Sequence, residues 1–174
     1  MKKVVMDEVF SKKLIMTVAD FADEIWHEHY DEMLADGQVD YMVRKYQSEE
    51  AIEKQISEGY KYFLVKVDGE YAGYIALRAD MDARKLFISK AYLLREFRGK
   101  GIFSEMIRYV NTMAENMGCN TLWLTVNRGN TDSIQVYEHI GFFKVRKEDS
   151  PIGNGYVMND YVMEYKVSNQ PELI

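Results

Sequence analysis

Cysteine and proline are scarce in this sequence, which holds one cysteine, Cys119, and two prolines among its 174 residues. A single cysteine excludes an internal disulfide framework and a cysteine-based zinc finger. Two prolines and 11 glycines exclude a collagen-like or low-complexity chain. Two of the three histidines stand in the run His27-Glu28-His29. Residues i and i+2 face apart on a helix, so we predict no metal site there.

Long apolar runs are also absent, because no stretch approaches the ~20 residues that cross a bilayer. The first ten residues, Met1–Phe10, include four charged side chains and no apolar run as long as that of a signal peptide, so we expect no signal peptide, no membrane partner and a cytoplasmic location. The 22 basic residues are outnumbered by 28 acidic ones, which gives a net charge of −6. This balance disfavours nucleic-acid binding, which depends on phosphate neutralisation by Lys and Arg, and mildly favours cationic small substrates.

The length and composition are those of one globular domain, predicted to span residues 1–174. Hydrophobic residues make up 47% of the chain and charged residues 29%. A chain of this size buries roughly two-thirds of its unfolded surface, so it needs no disulfide or metal to fold.

Hydrophobic periodicity predicts a strand, a helical region, three strands, a helix, a strand, a helix and final strands. The predicted strands are Lys13–Thr17, Tyr60–Val67, Glu70–Arg78, Lys85–Leu94, Thr121–Val126, Phe142–Lys147 and Tyr156–Val167. Helices are predicted after Asp20, from Val39, after Ser48, over Gly101–Met117 and over Thr131–Ile140. The strand-helix-strand order within Leu86–Val126 implies a parallel strand pair, so the fold class is α/β or α+β with a mixed sheet.

The most informative segment is the turn Arg98-Gly99-Lys100-Gly101, which joins a strand to an amphipathic helix. The first backbone N–H groups of a helix lack internal partners and the helix dipole is positive there, so such junctions bind anions. The glycines let a diphosphate approach the backbone, and the two basic side chains add positive charge. A plain surface turn with a basic cluster explains the same residues about equally well. Ser104 excludes the dinucleotide fingerprint Gly-x-Gly-x-x-Gly, and no P-loop spacing follows.

This turn resembles the acetyl-CoA-binding motif Gln/Arg-x-x-Gly-x-Gly/Ala of the GNAT superfamily of N-acetyltransferases. Arg98 and Gly101 match the first and fourth positions of that motif. Phe103 occupies the last position, where the family usually has Gly or Ala.

A second match begins at Asn127 and ends at Gly141-Phe142. It is similar to the later motif of the family, an Asn followed by a short helix that carries Tyr and then by Gly-Phe. The ending Ile152–Met163 also resembles the last strands of bacterial GNAT proteins, including polyamine acetyltransferases. With the order of elements, the resemblance covers nearly the whole chain.

The resemblance implies the GNAT fold, a mixed and mostly antiparallel sheet flanked by helices, with a splayed strand pair that holds acetyl-CoA as co-substrate. It implies that the cofactor-binding residues are Tyr92, Leu93, Leu94, Arg98, Gly99, Lys100, Gly101, Ile102, Phe103, Ser104, Asn127 and Asn130. The amide of Leu93 would lie near the acetyl carbonyl, where a backbone donor stabilises the developing oxyanion.

Tyr137 matches the family residue that protonates the departing thiolate of coenzyme A. A phenol has a pKa of ~10, so it is protonated at neutral pH and can donate. The spacing of Ile134, Tyr137 and Ile140 also fits a buried helix stripe, in which the tyrosine is a core residue. Asn130 fits cofactor binding and helix capping about equally well.

An amine acceptor is an ammonium ion at neutral pH, so it needs a general base before it attacks a thioester. The strand Leu86–Leu94 contains no acidic residue, and the sequence does not identify the base. The candidates for lining the acceptor pocket are Glu28, Tyr30, Asp31 and Asp160. A solvated helix face is the favoured explanation of the first three, and a solvated turn is the favoured explanation of Asp160.

The predicted activity is transfer of an acetyl group from acetyl-CoA to a primary amine of a small molecule. The resemblance implies direct transfer in a ternary complex, and the lack of a plausible Cys or Ser triad supports it. A non-catalytic acyl-CoA-binding module that regulates a partner is the alternative, which Phe103 and the missing acid favour slightly. A homodimer is a further expectation, because dimers are common in the family.

Overall fold

A computed structural model describes residues 2–167 of the chain. The helices in this part are α1 (Lys12–Tyr30), α2 (Gln38–Tyr46), α3 (Glu49–Ser57), α4 (Ile102–Met117) and α5 (Thr131–Ile140), with a 3₁₀ turn at Arg95–Phe97. The strands are β1 (Val4–Glu8), β2 (Lys61–Val67), β3 (Glu70–Asp80), β4 (Lys85–Leu93), β5 (Thr121–Asn127), β6 (Phe143–Gly153) and β7 (Tyr156–Lys166). None of these helices is long and apolar enough to cross a membrane.

The strands form a mixed sheet in the order β1-β2-β3-β4-β5-β7-β6. β4 and β5 pair in parallel over Lys85–Phe87 and Thr121–Trp123, the first three residues of each strand. The pairs β1–β2, β2–β3, β5–β7 and β6–β7 are antiparallel. This arrangement confirms the predicted mixed, mostly antiparallel sheet.

Contacts divide the described residues into two compact units. The first unit takes in the chain up to Arg78 together with Lys90–Met106, and the second takes in Ala79–Ser89 and the chain from Ile107 onward. The prediction of a single domain over residues 1–174 stays a prediction.

The first unit is built on α1 and the β2–β3 hairpin. α1 begins after Ser11, whose hydroxyl accepts a hydrogen bond from the Leu14 amide at 3.2 Å. Its buried side chains recur at helical spacing: Ile15, Val18, Ala22, Ile25, Trp26 and Tyr30. Between the two predicted strands Tyr60–Val67 and Glu70–Arg78, Asp68 and Gly69 form a two-residue turn, with φ of 50° and 88°.

Two predictions for the first thirty residues are wrong. Lys13–Thr17 is not a strand but part of α1, and Asp20 lies inside that helix instead of capping it. A run of three apolar residues, Leu14–Met16, does not by itself distinguish a strand from a buried helix segment. The first strand is β1 (Val4–Glu8), which pairs with β2.

The second unit places the apolar face of β5 in its core. Leu122, Leu124 and Val126 are buried, and Val110 and Ala114 of α4 are fully buried. Gly118, with a φ of 80°, ends α4 at the predicted position. β6 is longer than predicted, because it continues from Lys147 to Gly153 and pairs with β7 along its length except at two irregularities, Val145 and Ile152.

Candidate active site

The turn between β4 and α4 has the geometry that the anion-binding interpretation requires. After the 3₁₀ turn, Gly99 and Gly101 adopt φ of 69° and 76°, a region that favours glycine. A Cβ at either position meets no atom within 4 Å, so the backbone there is open. α4 begins at Ile102, so the N–H groups of its first turn, which have no acceptor within the helix, lie next to this turn.

The Arg98 guanidinium is held by two partners within the first unit. Its Nε donates to the Leu93 carbonyl at 2.9 Å, and its Nη1 donates to Glu28 Oε1 at 3.0 Å. Its Nη2 is buried and has no hydrogen-bond partner among the described residues. Arg98 therefore connects the end of β4 to α1 and keeps one buried donor unused.

The end of β4 lies close to the backbone of β3. The Leu94 amide donates to the Ala72 carbonyl at 2.8 Å, and Leu93 and Leu94 are buried. A Cβ at Gly73 would lie 2.0 Å from the Tyr92 carbonyl oxygen, so this approach requires glycine. The Tyr92 ring packs against the ring of Trp26, with centroids 5.7 Å apart.

The other predicted residues of this segment differ in exposure. Lys100 and Ser104 are exposed, Phe103 is half-buried and Ile102 is buried. The exposed Lys100 ammonium adds positive charge at the start of α4, whereas Ile102 anchors the helix by its apolar side chain.

The later motif lies in the second unit. Asn130 is the N-cap of α5 and accepts a hydrogen bond from the Ser133 amide at 3.3 Å, which confirms the capping interpretation. Asn127 ends β5 and accepts from the Gly129 amide at 2.8 Å. Tyr137 is half-buried, unlike the buried Ile134 one turn earlier, and its ring centroid lies 5.7 Å from that of Phe142.

The acceptor-pocket candidates of α1 have defined partners. Glu28 pairs with Arg98, and Asp31 accepts from His27 Nδ1 at 2.9 Å. Tyr30 is buried, with its ring 4.6 Å from that of Trp26. The favoured explanation of a solvated helix face is therefore wrong for Tyr30, which belongs to the core. Glu28 and Asp31 lie on the exposed part of α1, and Glu28 also pairs with Arg98.

Asp160 does not lie in a solvated turn. It is part of β7, where it pairs with Asn127 of β5 on one side and Glu148 of β6 on the other. It retains 8% of its accessible surface. Burial, with the charge of Glu148 second, raises the pKa of the Asp160 carboxyl from 3.8 to about 6.

Lys90 is a buried ionisable residue whose burial sequence reasoning missed. Its ammonium nitrogen donates to the Tyr46 carbonyl and to the Tyr62 hydroxyl. Desolvation lowers the pKa of Lys90 from 10.5 to about 7. The signal was in the alternation of β4, because Lys90 shares the inward phase of Leu86 and Ile88.

A family model matches residues 20–142, about seven-tenths of the chain, and describes the Acetyltransferase (GNAT) family. The chain belongs to the GNAT family. The matched range contains both sequence motifs, and the predicted family and fold are confirmed. GNAT proteins form a family of acetyl-CoA-dependent acetyltransferases, which confirms the predicted enzyme class and acyl donor at the level of the family.

Curated GNAT relatives are similar to part of this chain. Streptothricin acetyltransferase of Streptomyces lavendulae is 29% identical over 54% of the chain and 50% of its own length. An uncharacterised N-acetyltransferase of Mycobacterium tuberculosis is 32% identical over 55% of the chain and 60% of its own length. The chain thus spans about half to three-fifths of these relatives.

Solved structures support the GNAT fold over almost the whole chain. The PaiA N-acetyltransferase of Thermoplasma acidophilum, in complex with coenzyme A, superposes with a TM-score of 0.75 at 20% identity, covering 95% of this chain and 99% of its own. Spermidine N-acetyltransferase of Vibrio cholerae, in complex with coenzyme A and spermine, has a TM-score of 0.69 at 14% identity and covers 95% of both chains.

Proposed function

We propose that this protein transfers an acetyl group from acetyl-CoA directly to a primary amine of a small molecule. The observation that carries this proposal is the Arg98–Gly101 turn at the start of α4, inside the region that matches the GNAT family. The donor supplies an acetyl group already activated as a thioester.

The turn has the features that bind the diphosphate of acetyl-CoA. Its glycines leave the backbone open, and the first turn of α4 offers N–H groups and a positive dipole end. The buried Nη2 of Arg98 has no hydrogen-bond partner within residues 2–167, and the Lys100 ammonium is exposed beside it in sequence. Ile102, Phe103 and Ser104 contribute through the backbone of the first helical turn.

The end of β4 would bind the pantetheine arm through its backbone. Tyr92, Leu93 and Leu94 are proposed to contact that arm, with the Leu93 amide donating to the acetyl oxygen as negative charge develops there. The burial of Leu93 and Leu94 supports this role, because a hydrogen bond in a dry environment is stronger than one in water.

Tyr137 is proposed to donate the proton that the departing sulfur requires. Its half-buried position in α5 supports this role over that of a fully buried core tyrosine. Asn127 and Asn130 are proposed to contact the donor, although both side chains also make local hydrogen bonds that shape the start of α5.

The acceptor is proposed to be a cationic small amine. The net charge of −6 and the spermidine N-acetyltransferases among the structural neighbours support a polyamine-like compound. Among the α1 candidates, Asp31 and Tyr30 stay predictions for the acceptor pocket. Glu28 is better explained as the residue that orients Arg98.

The half-buried Phe103 at the last motif position favours one second candidate, a regulatory module that binds acyl-CoA without turnover. Homodimer formation and a cytoplasmic location stay predictions.

Calorimetric titration with acetyl-CoA tests the donor site. We expect micromolar binding by the wild-type protein and roughly tenfold weaker binding by Lys100→Glu, which reverses a charge beside the proposed phosphates. Lys54→Glu reverses the charge of an exposed lysine on α3 and serves as the matched control. Absence of binding by folded wild-type protein, or equal binding by both variants, contradicts the assigned site.

Thiol release in the presence of amines then separates the two candidates. Tyr137→Phe should lower turnover while the affinity for acetyl-CoA stays nearly unchanged, because only the proton donor is removed. Tyr109→Phe, on the exposed face of α4, is the control. Tight binding of acetyl-CoA without turnover of any amine supports the regulatory module.

A further inference from the structure

Asp160 is a buried carboxylate in the middle of a strand, with polar partners on both sides. Direct cross-strand partners in an antiparallel sheet face the same side, so the side chains of Asn127, Asp160 and Glu148 line one face of β5, β7 and β6. Asp160 is 8% exposed. Its Oδ1 is buried and accepts no hydrogen bond from any residue in the described part of the chain.

No cationic side chain within residues 2–167 forms an ion pair with the Asp160 carboxyl group, although the charge of Arg128 acts on it from a distance. Arg128 Nη2 pairs with Asp149 Oδ1 at 2.8 Å, and Arg128 Nη1 donates to the main-chain carbonyl of Asp160 at 3.2 Å. Arg146 lies 3.5 Å from Glu148 Oε1. The hydrogen bonds and ion pairs of both arginines thus go to acceptors other than the Asp160 carboxyl group.

A buried carboxylate oxygen without a donor destabilises the folded protein. Such a group is explained when a ligand supplies the donor, and an ammonium ion supplies three N–H donors and a positive charge. The neighbouring Glu148 is 40% exposed on its side chain, so it offers a second carboxylate at the solvent side of Asp160.

We propose that the Asp160 carboxylate, between Asn127 and Glu148, binds the ammonium group of an alkylamine acceptor and takes up the proton that this group must lose. Glu148 attracts the cation, and Asp160 accepts the proton. This inference rests on the proposed acetyltransferase function and supplies the general base that the sequence does not identify.

The proton balance is complete. The ammonium N–H bond breaks and an O–H bond forms on Asp160, which leaves a neutral amine with a lone pair. The amine nitrogen then forms the bond to the acetyl carbon, the C–S bond breaks, and the sulfur receives a proton. The amine loses its second N–H proton as the amide forms, and this proton replaces the one that Tyr137 donates to sulfur. One proton therefore remains on Asp160 until it passes to solvent.

A carboxyl that titrates near neutrality suits this role. Burial first, then Glu148 and Asp149, raise the pKa of Asp160 to about 6, while Arg128 opposes them. A base with this pKa is ionised at pH 7 and still accepts a proton more readily than an ordinary aspartate.

The first test measures the carboxyl directly, in protein saturated with coenzyme A and using spermidine as the probe. The ¹³C carboxyl resonance of Asp160, assigned by its loss in Asp160→Asn, should titrate near pH 6 and shift to lower pH when spermidine is added. Asp160→Asn should bind spermidine at least tenfold more weakly. Unchanged titration, equal affinity in the variant, or no spermidine binding by the wild type overturns the proposal.

The second test is the pH profile of kcat/KM for spermidine. Asp160→Asn should lower kcat/KM about 100-fold at pH 7, and the deficit should shrink toward pH 9.5, where solvent deprotonates the amine. Glu164→Gln is the matched control, since it removes a carboxylate from the same face of β7 that pairs with Lys85 at 3.2 Å. Equal activity of Asp160→Asn, or a deficit independent of pH, contradicts proton uptake.

The two proposals fail in distinguishable ways. If acetyl-CoA does not bind to folded protein, the proposed function fails. If acetyl-CoA binds and Asp160→Asn behaves as the wild type with spermidine, only the role of Asp160 fails.

Discussion

Two buried ionisable residues, Lys90 in the first unit and Asp160 in the second, differ in how their polar atoms are satisfied. Lys90 is 5% exposed and donates to the Tyr46 carbonyl and the Tyr62 hydroxyl. Gln55 completes this ring, because it accepts from the Tyr62 hydroxyl at 2.5 Å and donates to the Tyr46 carbonyl at 3.1 Å. Asp160 instead has a buried oxygen without a partner among the described residues.

By this comparison Lys90 is a structural group, whereas the proposed binding role of Asp160 rests on its unpartnered oxygen. The ring around Lys90 ties β4 to the end of α2 and to β2, and each of its partners is held by a second hydrogen bond. Desolvation is the main cause of both pKa shifts, which move toward neutrality from opposite sides. Burial alone therefore does not mark a functional residue, whereas a buried charged group with an unmet hydrogen-bonding capacity needs an explanation, and a bound ligand is one.

The largest expected effect is the contribution of Lys90 to the pH dependence of the free energy of unfolding. Its pKa is about 7 in the folded protein against 10.5 ordinarily, so the unfolded chain binds more protons between these values. The free energy of unfolding should therefore rise by a few kcal/mol from pH 7 to pH 10.5. Urea titrations should show this rise in the wild type and a clearly smaller one in Lys90→Met. Parallel curves for the two proteins would show that Lys90 is protonated in the fold.

A smaller loss of folding stability is expected from Tyr62→Phe. This variant removes one hydroxyl from the hydrogen-bonded ring and keeps the aromatic side chain. The variant leaves Gln55 Oε1 without its donor and removes one acceptor of Lys90, which should destabilise the protein by about 1–2 kcal/mol. Tyr60→Phe, at the start of the same strand region and less buried, should change stability by under ~0.5 kcal/mol. Equal denaturation midpoints for the two variants would mean that the ring contributes nothing measurable.

The smallest expected effect is a gain of stability in Asp160→Asn. Raising the pKa of Asp160 from 3.8 to about 6 means that the folded state binds more protons in this window, so stability falls as pH rises through it. Removal of the charge should stabilise the protein by about 1 kcal/mol at pH 7, after allowing for solvent screening, and by less at pH 4. Calorimetric melting at both pH values measures it. A loss of stability at pH 7 would mean that the Asp160 carboxylate stabilises the fold, as Lys90 does.

Local patterns predicted most of the elements of the fold. The caps at Ser48 and Asn130, the turn at Asp68-Gly69 and the stop at Gly118 depend on residues close in sequence, so the chain itself reveals them. The failure at Lys13–Thr17 came from a window too short to tell a period of 3.6 from a period of 2.

The contacts between residues of the candidate site could be predicted only where those residues are close in sequence. The Arg98–Gly101 turn and the motif around Tyr137 were visible, but the contact of Arg98 with Glu28 joins residues 70 positions apart. The register that puts Asn127, Asp160 and Glu148 side by side likewise depends on three strands at once. The alternation of β7 offered one usable hint, because Asp160 has the same phase as the buried Val162.

The hydrogen bonds that Arg98 donates to Leu93 and Glu28 affect the affinity with which this side chain can bind an anion. A free arginine samples many rotamers, and fixing one on binding costs about 0.5–1.5 kcal/mol. In this protein the hydrogen bonds to the Leu93 carbonyl and to Glu28 fix the Arg98 side chain when the first unit folds, so this entropy is lost before any ligand binds. A phosphate group that reaches Nη2 would therefore meet a donor with a fixed direction. Its binding would cost less side-chain entropy, and its affinity would be higher for that reason.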